Sequence, residues 1–388
     1  MIQQSKYDQR GVSADKHEVH EAIKHLDKGL FPNAFCKILP DFAANHPDYC
    51  NLMHADTAGT KPSLAYIYWK ETGDHSVWKG IVQDAIVMNL DDMAAAGVTN
   101  DFILSSTIGR NKNHVSGDVL KHLIEASSSF ADAMRTYGVN IHLAGGETAD
   151  VGDIVRTLDV GFTVFARAKR EDIISIDIKP GNVIVGFESC GQATYETEYN
   201  GGMGSNGLTS ARHDVFHTNY YDKYPESFDP KLQRDLAYTG NLNLMDIDPV
   251  TGLTFGKLLL SPTRTYLPVI KEILDKYRSK ISGIIHNTGG AHTKVMNFVE
   301  NLHIIKDNLL PVPHLFNLIH EQSGTDYKEM FKVFNMGQRL EIYTDLHTAH
   351  KLIEIADSFQ IKSKVIGRVE GHEGKKLTLK TEFGEFVY

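Results

Sequence analysis

Apolar positions in this chain recur in two ways: short runs that end in glycine-rich polar turns, and longer stretches at helical spacing. The opening Tyr7-Asp8-Gln9-Arg10-Gly11-Val12 is turn-like, and Val19, Ala22, Ile23 and Leu26 mark a helix that Leu30-Phe31-Pro32 ends. Residues 50–56 form the first clear strand. Residues 81–96 form the strongest helix of this half, with Ile81, Ala85, Met88 and Ala95 as its stripe and Gly97 at its C-cap. A strand at 102–108, an amphipathic helix at 115–137 closed by Gly138, and strands at 139–143 and 158–166 follow. Clustered charges over 167–179 and the turn Lys179-Pro180-Gly181 mark a domain boundary.

The second half starts with a strand at 182–187. A glycine-rich loop, 200–207, opens a helix carrying Leu208, Ala211, Arg212 and Val215. Residues 216–256, rich in Tyr, Asp, Asn and Pro, read as a long surface excursion. A helix at 262–277 carries Arg264 in its first turn. A strand at 280–285 leads into His286-Asn287-Thr288-Gly289-Gly290 and a helix through Leu302. A strand at 341–343, a helix at 347–359 and strands at 364–369 and 376–380 finish the chain. Helices and strands alternate without a strict β-α-β rhythm.

Candidate chemistry sits at the turns. Met53-His54-Ala55-Asp56-Thr57-Ala58-Gly59-Thr60-Lys61 follows an apolar strand. Gly59 lets backbone amides approach an anion, Lys61 adds a point charge, and Asp56 suits a magnesium ion carried by a nucleotide. The plain alternative is a polar turn after a buried strand. Ala144-Gly145-Gly146-Glu147-Thr148-Ala149-Asp150 is a second such segment, and its glycine pair before an acid has no packing rationale. Glycines ahead of Leu208 make an anion site at a helix N-terminus. Asp84 and Asp91 share a helix face, beside Asp92. Carboxylates near a helix C-terminus oppose its dipole, which points to a bound cation or to a solvated acidic face.

Composition narrows the field. At 388 residues the chain is too long for one ordinary core, so two domains are expected. A net charge of −9 argues against nucleic acid or a membrane surface as partner. Cys36, Cys50 and Cys190 lack metal-ligand spacing and read as reduced thiols of a cytoplasmic protein. The polar start, Met1-Ile2-Gln3-Gln4-Ser5-Lys6, lacks the apolar core of a signal peptide, and no run reaches membrane-spanning length.

Several of these segments, in this order, resemble the phosphoribosylformylglycinamidine cyclo-ligases, the aminoimidazole ribonucleotide (AIR) synthetase family. Asp56-Thr57-Ala58-Gly59-Thr60-Lys61 is similar to that family's Asp-Gly-Val-Gly-Thr-Lys, and Gly145-Gly146-Glu147-Thr148-Ala149-Asp150 to its Gly-Gly-Glu-Thr-Ala-Glu. Asp91-Asp92-Met93 through Gly97, Ser205-Asn206-Gly207, Pro262-Thr263-Arg264, Thr288-Gly289-Gly290 and the early Tyr7 and Gly11-Val12 resemble further family segments. The likeness covers nearly the whole chain apart from 216–256.

The resemblance implies a two-domain α+β fold. A sheet-and-helix domain over 1–168 would bind ATP and dimerise through its sheet. An AIR synthetase-like α/β-sandwich domain would span 169–388, with an insertion near 216–256. It implies a homodimeric cytoplasmic ligase of purine biosynthesis that closes the ring of formylglycinamidine ribonucleotide with ATP and magnesium. Asp56, Asp92 and Glu147 are then expected to converge on magnesium, with Asp84 and Asp91 as further ligands. Lys61 would neutralise the transferring phosphoryl group. Gly59, Thr60, Gly145, Gly146, Ser205, Asn206 and Gly207 would hold nucleotide phosphates. Arg264 would fork onto the substrate's 5′-phosphate, with His286, Thr288 and Gly289 on the substrate side. The plain alternatives are a carboxylate pair for Arg264, a satisfied core histidine at 286, and tight packing at Gly289 and Gly290.

The chain departs from the family pattern. Gly204 stands where a histidine usually precedes Ser-Asn-Gly, Thr57-Ala58 replaces Gly-Val, and Asp8 stands in place of a lysine. The competing functions are another ATP-using superfamily member, such as a thiamine-phosphate kinase, and a nucleotide-binding regulator without turnover.

Overall fold

The computed structural model describes residues 6–12, 21–22 and 24–388. The helix expected around Val19 and Ile23 therefore lies largely outside the described residues. Five strands build the first sheet: β1 (Ile38–Pro40), β2 (Tyr49–Thr57), β3 (Phe102–Arg110), β4 (Ile141–Asp150) and β5 (Leu158–Lys169). Their spatial order is β1-β2-β5-β3-β4. Only β3 and β4 run parallel.

Helices α1 (Lys61–Thr72), α2 (Val77–Ala95) and α3 (Gly117–Arg135) accompany this sheet. Leu52, Phe162, Val164 and Ala166 are buried on its inner face. His54 Nδ1 lies 2.9 Å from Asn89 Oδ1 of α2 on that side. The other face carries the cross-strand row Met53, Phe165 and Ile103. Met53 is 65% and Ile103 43% exposed.

Almost every residue of α2 is buried, as expected of a helix packed on both sides. One side faces the first sheet and the other the second half of the chain. That placement puts its acidic side chains between the two sheets. Helix α1 has no apolar stripe, because it too is buried around most of its circumference, so periodicity did not reveal it.

The second sheet contains β6 (Val183–Glu188), β7 (Ile281–His286), β8 (Leu302–Lys306), β9 (Gln338–Thr344), β10 (Ser363–Gly371), β11 (Lys376–Thr381) and β12 (Gly384–Val387). Its order is β12-β11-β8-β10-β6-β9-β7. Helices α4 (Leu208–Val215), α5 (Leu267–Tyr277), α6 (His314–Ser323), α7 (Tyr327–Val333) and α8 (Leu346–Ser358) complete an α+β architecture. Among the described residues no helix is long and apolar enough to cross a membrane.

Three expectations need correction. The helix read over 262–277 starts at Leu267, and residues 261–266 carry no regular secondary structure; two prolines compete for its first turn, and Pro268 takes it. The helix expected after Gly290 is a short 3₁₀ stretch, Ala291–Asn297, followed by β8. Residues 216–256 are an anchored segment rather than a surface excursion throughout, although Met245, Ile247 and Val250 stay exposed. Tyr220, Tyr224, Phe228, Tyr238 and Leu244 are buried, and edge-to-face ring pairs such as Phe228–Tyr238, 5.7 Å apart, hold them.

Candidate active site

Three turns meet between the two sheets. The first follows β2, where Gly59 adopts φ +64°. Ser205, of the turn before α4, packs against Gly59. Thr60 Oγ1 lies 2.7 Å from Thr209 Oγ1 at the start of α4. The third turn follows β7, and Asn206 packs against its Gly289. Gly207 has φ +80°, and any side chain there would enter the Phe334 ring, so this position needs glycine twice over. The N-terminal segment crosses to the same place. Arg10 forks onto Asp214 of α4 at 2.7 and 2.8 Å.

Helix α2 supplies the wall facing these turns. Asp84 Oδ1 accepts from Lys61 Nζ at 2.9 Å, the Thr263 amide at 2.7 Å and Thr263 Oγ1 at 2.6 Å. Asp91 accepts from Thr265 Oγ1 at 2.6 Å and the Tyr266 amide at 2.8 Å. Burial pushes Asp91 up to about 7 despite those bonds. The 261–266 segment therefore takes two acids of α2 as hydrogen-bond acceptors. That is how the buried carboxylates are satisfied, together with the nearby cations Lys61 and Arg339.

Asp92, further along the same helix, sits beside the end of β7. Its Oδ1 accepts from His286 Nδ1 at 2.7 Å, and its Oδ2 lies 3.5 Å from His54 Nε2. Burial alone would raise Asp92, yet Lys294, His286 and His54 together hold it below the ordinary carboxylate range. His286 is fully buried, and burial lowers its basicity. Both of its ring nitrogens are engaged, because Arg339 Nε reaches Nε2 at 3.4 Å.

The expected residues divide into two groups. Asp56, Gly59, Thr60, Asp92, Ser205, Asn206, Gly207, His286, Thr288 and Gly289 belong to the turns or to the strand and helix ends beside them. Lys61 is buried on Asp84 and on the Ser261 carbonyl, at 2.5 Å. Arg264 is buried too, with its fork closed on Glu196 at 3.0 and 2.5 Å and Nη1 on the carbonyls of Glu188 and Cys190. Its geometry serves the second half rather than an incoming phosphate.

Glu147 is exposed on edge strand β4. It pairs with Thr107, which pairs with Gly161, which pairs with Thr57. Three strand spacings, roughly 14 Å, and opposite sheet faces separate it from Asp56 within one chain. Gly145 and Gly146 do have a packing reason. Strand β4 carries one extra residue between Leu143 and Gly146, Gly145 takes φ +85° there, and a side chain at 146 would overlap Ser106.

Magnesium was expected on Asp56, Asp92 and Glu147, with Asp84 and Asp91 nearby. Among the described residues no three His, Cys, Asp or Glu side chains come together to hold a metal. Asp84 and Asp91 are committed to residues 263–266, and Glu147 lies elsewhere. Among the described residues of one chain, these acids do not gather into a magnesium cage.

Among the described residues, Ser205 Oγ and Asn206 Oδ1 in the turn before α4 and Asn287 Oδ1 in the turn after β7 are buried without a hydrogen-bond partner. His54, Lys294 and Arg339 were not anticipated. His54 lies within the first motif, two residues from Asp56 on the same strand face, and alternation would have paired them. Arg339 follows the Asn335-Met336-Gly337 turn, and only its burial distinguishes it from a surface arginine.

Known proteins resemble this chain in sequence and in fold. Residues 39–168 match the AIR synthase related protein, N-terminal domain, family. The chain is 29% identical over 330 residues to a phosphoribosylformylglycinamidine cyclo-ligase of Methanocaldococcus jannaschii, covering 84% of this chain and 80% of that protein. It is 28% identical over 383 residues to the protein of that name from Methanococcus vannielii, covering 96% and 92%. Among solved structures, phosphoribosylformylglycinamidine synthase II of Thermotoga maritima superposes with a TM-score of 0.55 at 13% identity, which is a likeness of fold. That match covers 99% of this chain and spans half the length of the other.

Proposed function

We propose that this chain, whose residues 39–168 match the AIR synthase related family, uses ATP to close the imidazole ring of formylglycinamidine ribonucleotide in purine biosynthesis. The observation that carries this reading is the meeting of the 57–60, 204–207 and 287–290 turns beside Asp92. Backbone amides and unpartnered polar atoms gather there, as phosphate groups require.

The formyl oxygen of the substrate is a poor leaving group. Transfer of the γ-phosphoryl group to it forms an O–P bond and releases ADP. The amidine nitrogen then attacks the formyl carbon, the C–O bond breaks, phosphate leaves and the nitrogen sheds its proton. Alignment and charge stabilisation suffice, and no protein nucleophile is needed. Gly59, Thr60, Ser205, Asn206 and Gly207 hold phosphate oxygens, with Thr288 and Gly289 on the ribonucleotide side. Asp92 and Asp56 give the opposite wall negative charge suited to the amidinium. His286, engaged at both nitrogens, orients Asp92. Magnesium arrives with the ATP phosphates, and no acid triad of the chain is assigned to it.

The two units are taken as 1–168 and 169–388. A second copy covers the exposed face of the first sheet, and the homodimer works in the cytoplasm. Purified protein supplied with ATP and magnesium should release ADP with formylglycinamidine ribonucleotide and not with thiamine phosphate. ADP release with thiamine phosphate alone would replace this reading with a kinase, and release with neither would leave a nucleotide-binding regulator.

A further inference from the structure

Arg339 is among the largest fully buried side chains of the molecule. Among the described residues its side-chain hydrogen bonds are long. Nε reaches His286 Nε2 at 3.4 Å, and one terminal nitrogen lies 3.8 Å from Met88 Sδ. No carboxylate forks onto it, although Asp84, Asp91 and Asp92 surround it. A buried guanidinium without a bidentate partner is costly, so its position calls for a reason.

The backbone opposite shows how the position is kept. A Cβ at Gly204 would overlap the Arg339 guanidinium, so the missing side chain is what admits the arginine. Gly204 does not adopt positive φ, so its backbone does not require glycine. The neighbouring group that gains is His286. A nitrogen that accepts from Nε–H cannot carry a proton, so the ring proton sits on Nδ1 and points at Asp92 Oδ1.

We propose that Arg339 is a positioning residue that fixes His286 in the Nδ1–H tautomer and thereby orients Asp92, and that Gly204 exists to make room for it. The gain for the reaction rests on the ring-closure reading above, and the tautomer does not. Two substitutions separate position from folding. Arg339→Met removes the donor. Gly204→Ala keeps every charged group and adds one methyl that displaces the guanidinium.

The test is ¹⁵N NMR of protein labelled in the histidine rings, with His286 assigned by its loss in His286→Gln, alongside steady-state kinetics. Wild-type His286 should show a protonated Nδ1 and a hydrogen-bonded Nε2. In both variants the Nε2 resonance should move toward that of a free acceptor nitrogen. The kcat should fall about tenfold or more, as for loss of an orienting partner, with KM for ATP near wild type and partial recovery in Arg339→Lys. Unchanged His286 resonances in Gly204→Ala overturn the inference even if Arg339→Met does not fold, and so does an unchanged kcat in a variant whose resonances shift. If wild-type protein closes no ring but the resonances shift, the ring-closure reading falls and the tautomer assignment stands.

Discussion

One oxygen of Asp84 accepts three hydrogen bonds, and the other has none in a buried setting. Among the described residues Lys61 is its only ion-pair partner, and it also reaches the Ser261 carbonyl, so this pair latches the first sheet's helices to the second half. Lys61→Met should destabilise the protein by about 3–5 kcal/mol in urea unfolding, because it leaves a buried carboxylate uncompensated. Adding Asp84→Leu should recover much of that loss, and equal midpoints for wild type and Lys61→Met would rule the latch out. His292 gives a pH signature. Burial holds it at about 3, against an ordinary 6.5, and its Nε2 donates to the Asn335 carbonyl at 3.0 Å. A depressed folded value contributes stability above pH 6.5 that is lost as pH falls toward 3. Unfolding free energy should therefore drop by a few kcal/mol, roughly, across that window, and His292→Gln should flatten the slope. An unaltered slope in the variant would assign the acid loss elsewhere. Residue type alone did not show which charges are buried in ion pairs: Arg264 and Lys61 suit phosphates chemically, and the structure pairs them with Glu196 and Asp84.

Strand β4 is parallel to β3, with one bulged residue, and its glycines exist for that bulge. Gly146→Ala should cost about 1–3 kcal/mol, since the new methyl meets the Ser106 backbone and neither strand can move freely. Gly117→Ala, whose added carbon meets nothing, is the control. Equal melting temperatures for the two would contradict the packing role. Strands and helices with a clean period were readable in the sequence: β2, β3, β5, α3 and α8 lie within a few residues of their expected places. Helix α1 was missed because it lacks a stripe. Residues 216–256 were misread because tyrosines that pack edge to face carry polar tips and sit among Asp and Asn. The three turns were recognisable as phosphate-type segments from glycine and hydroxyl content. Their mutual approach was not, because it depends on how the two sheets pack across α2. The separation of Glu147 from Asp56 within one chain was not readable for the same reason.

For the whole molecule, the outer face of the first sheet is unfinished. Met53, Phe165 and Ile103 line up across three strands, and edge strand β4 is exposed along most of its length. Such a face and edge are liabilities that a second copy removes. Sedimentation should show a dimer at micromolar concentration, and Met53→Glu with Ile103→Glu should yield monomers with near-native circular dichroism. Monomeric wild-type protein would contradict this. The central claim is that ATP converts the formyl oxygen into a leaving group within the cleft beside Asp92. Formylglycinamidine ribonucleotide labelled with ¹⁸O in its formyl group tests this directly, by mass analysis of the phosphate released. The account expects one labelled oxygen in each phosphate, in step with ADP and ring-closed product. Ring closure with unlabelled phosphate would mean that water, not the formyl oxygen, received the phosphoryl group, and would contradict it.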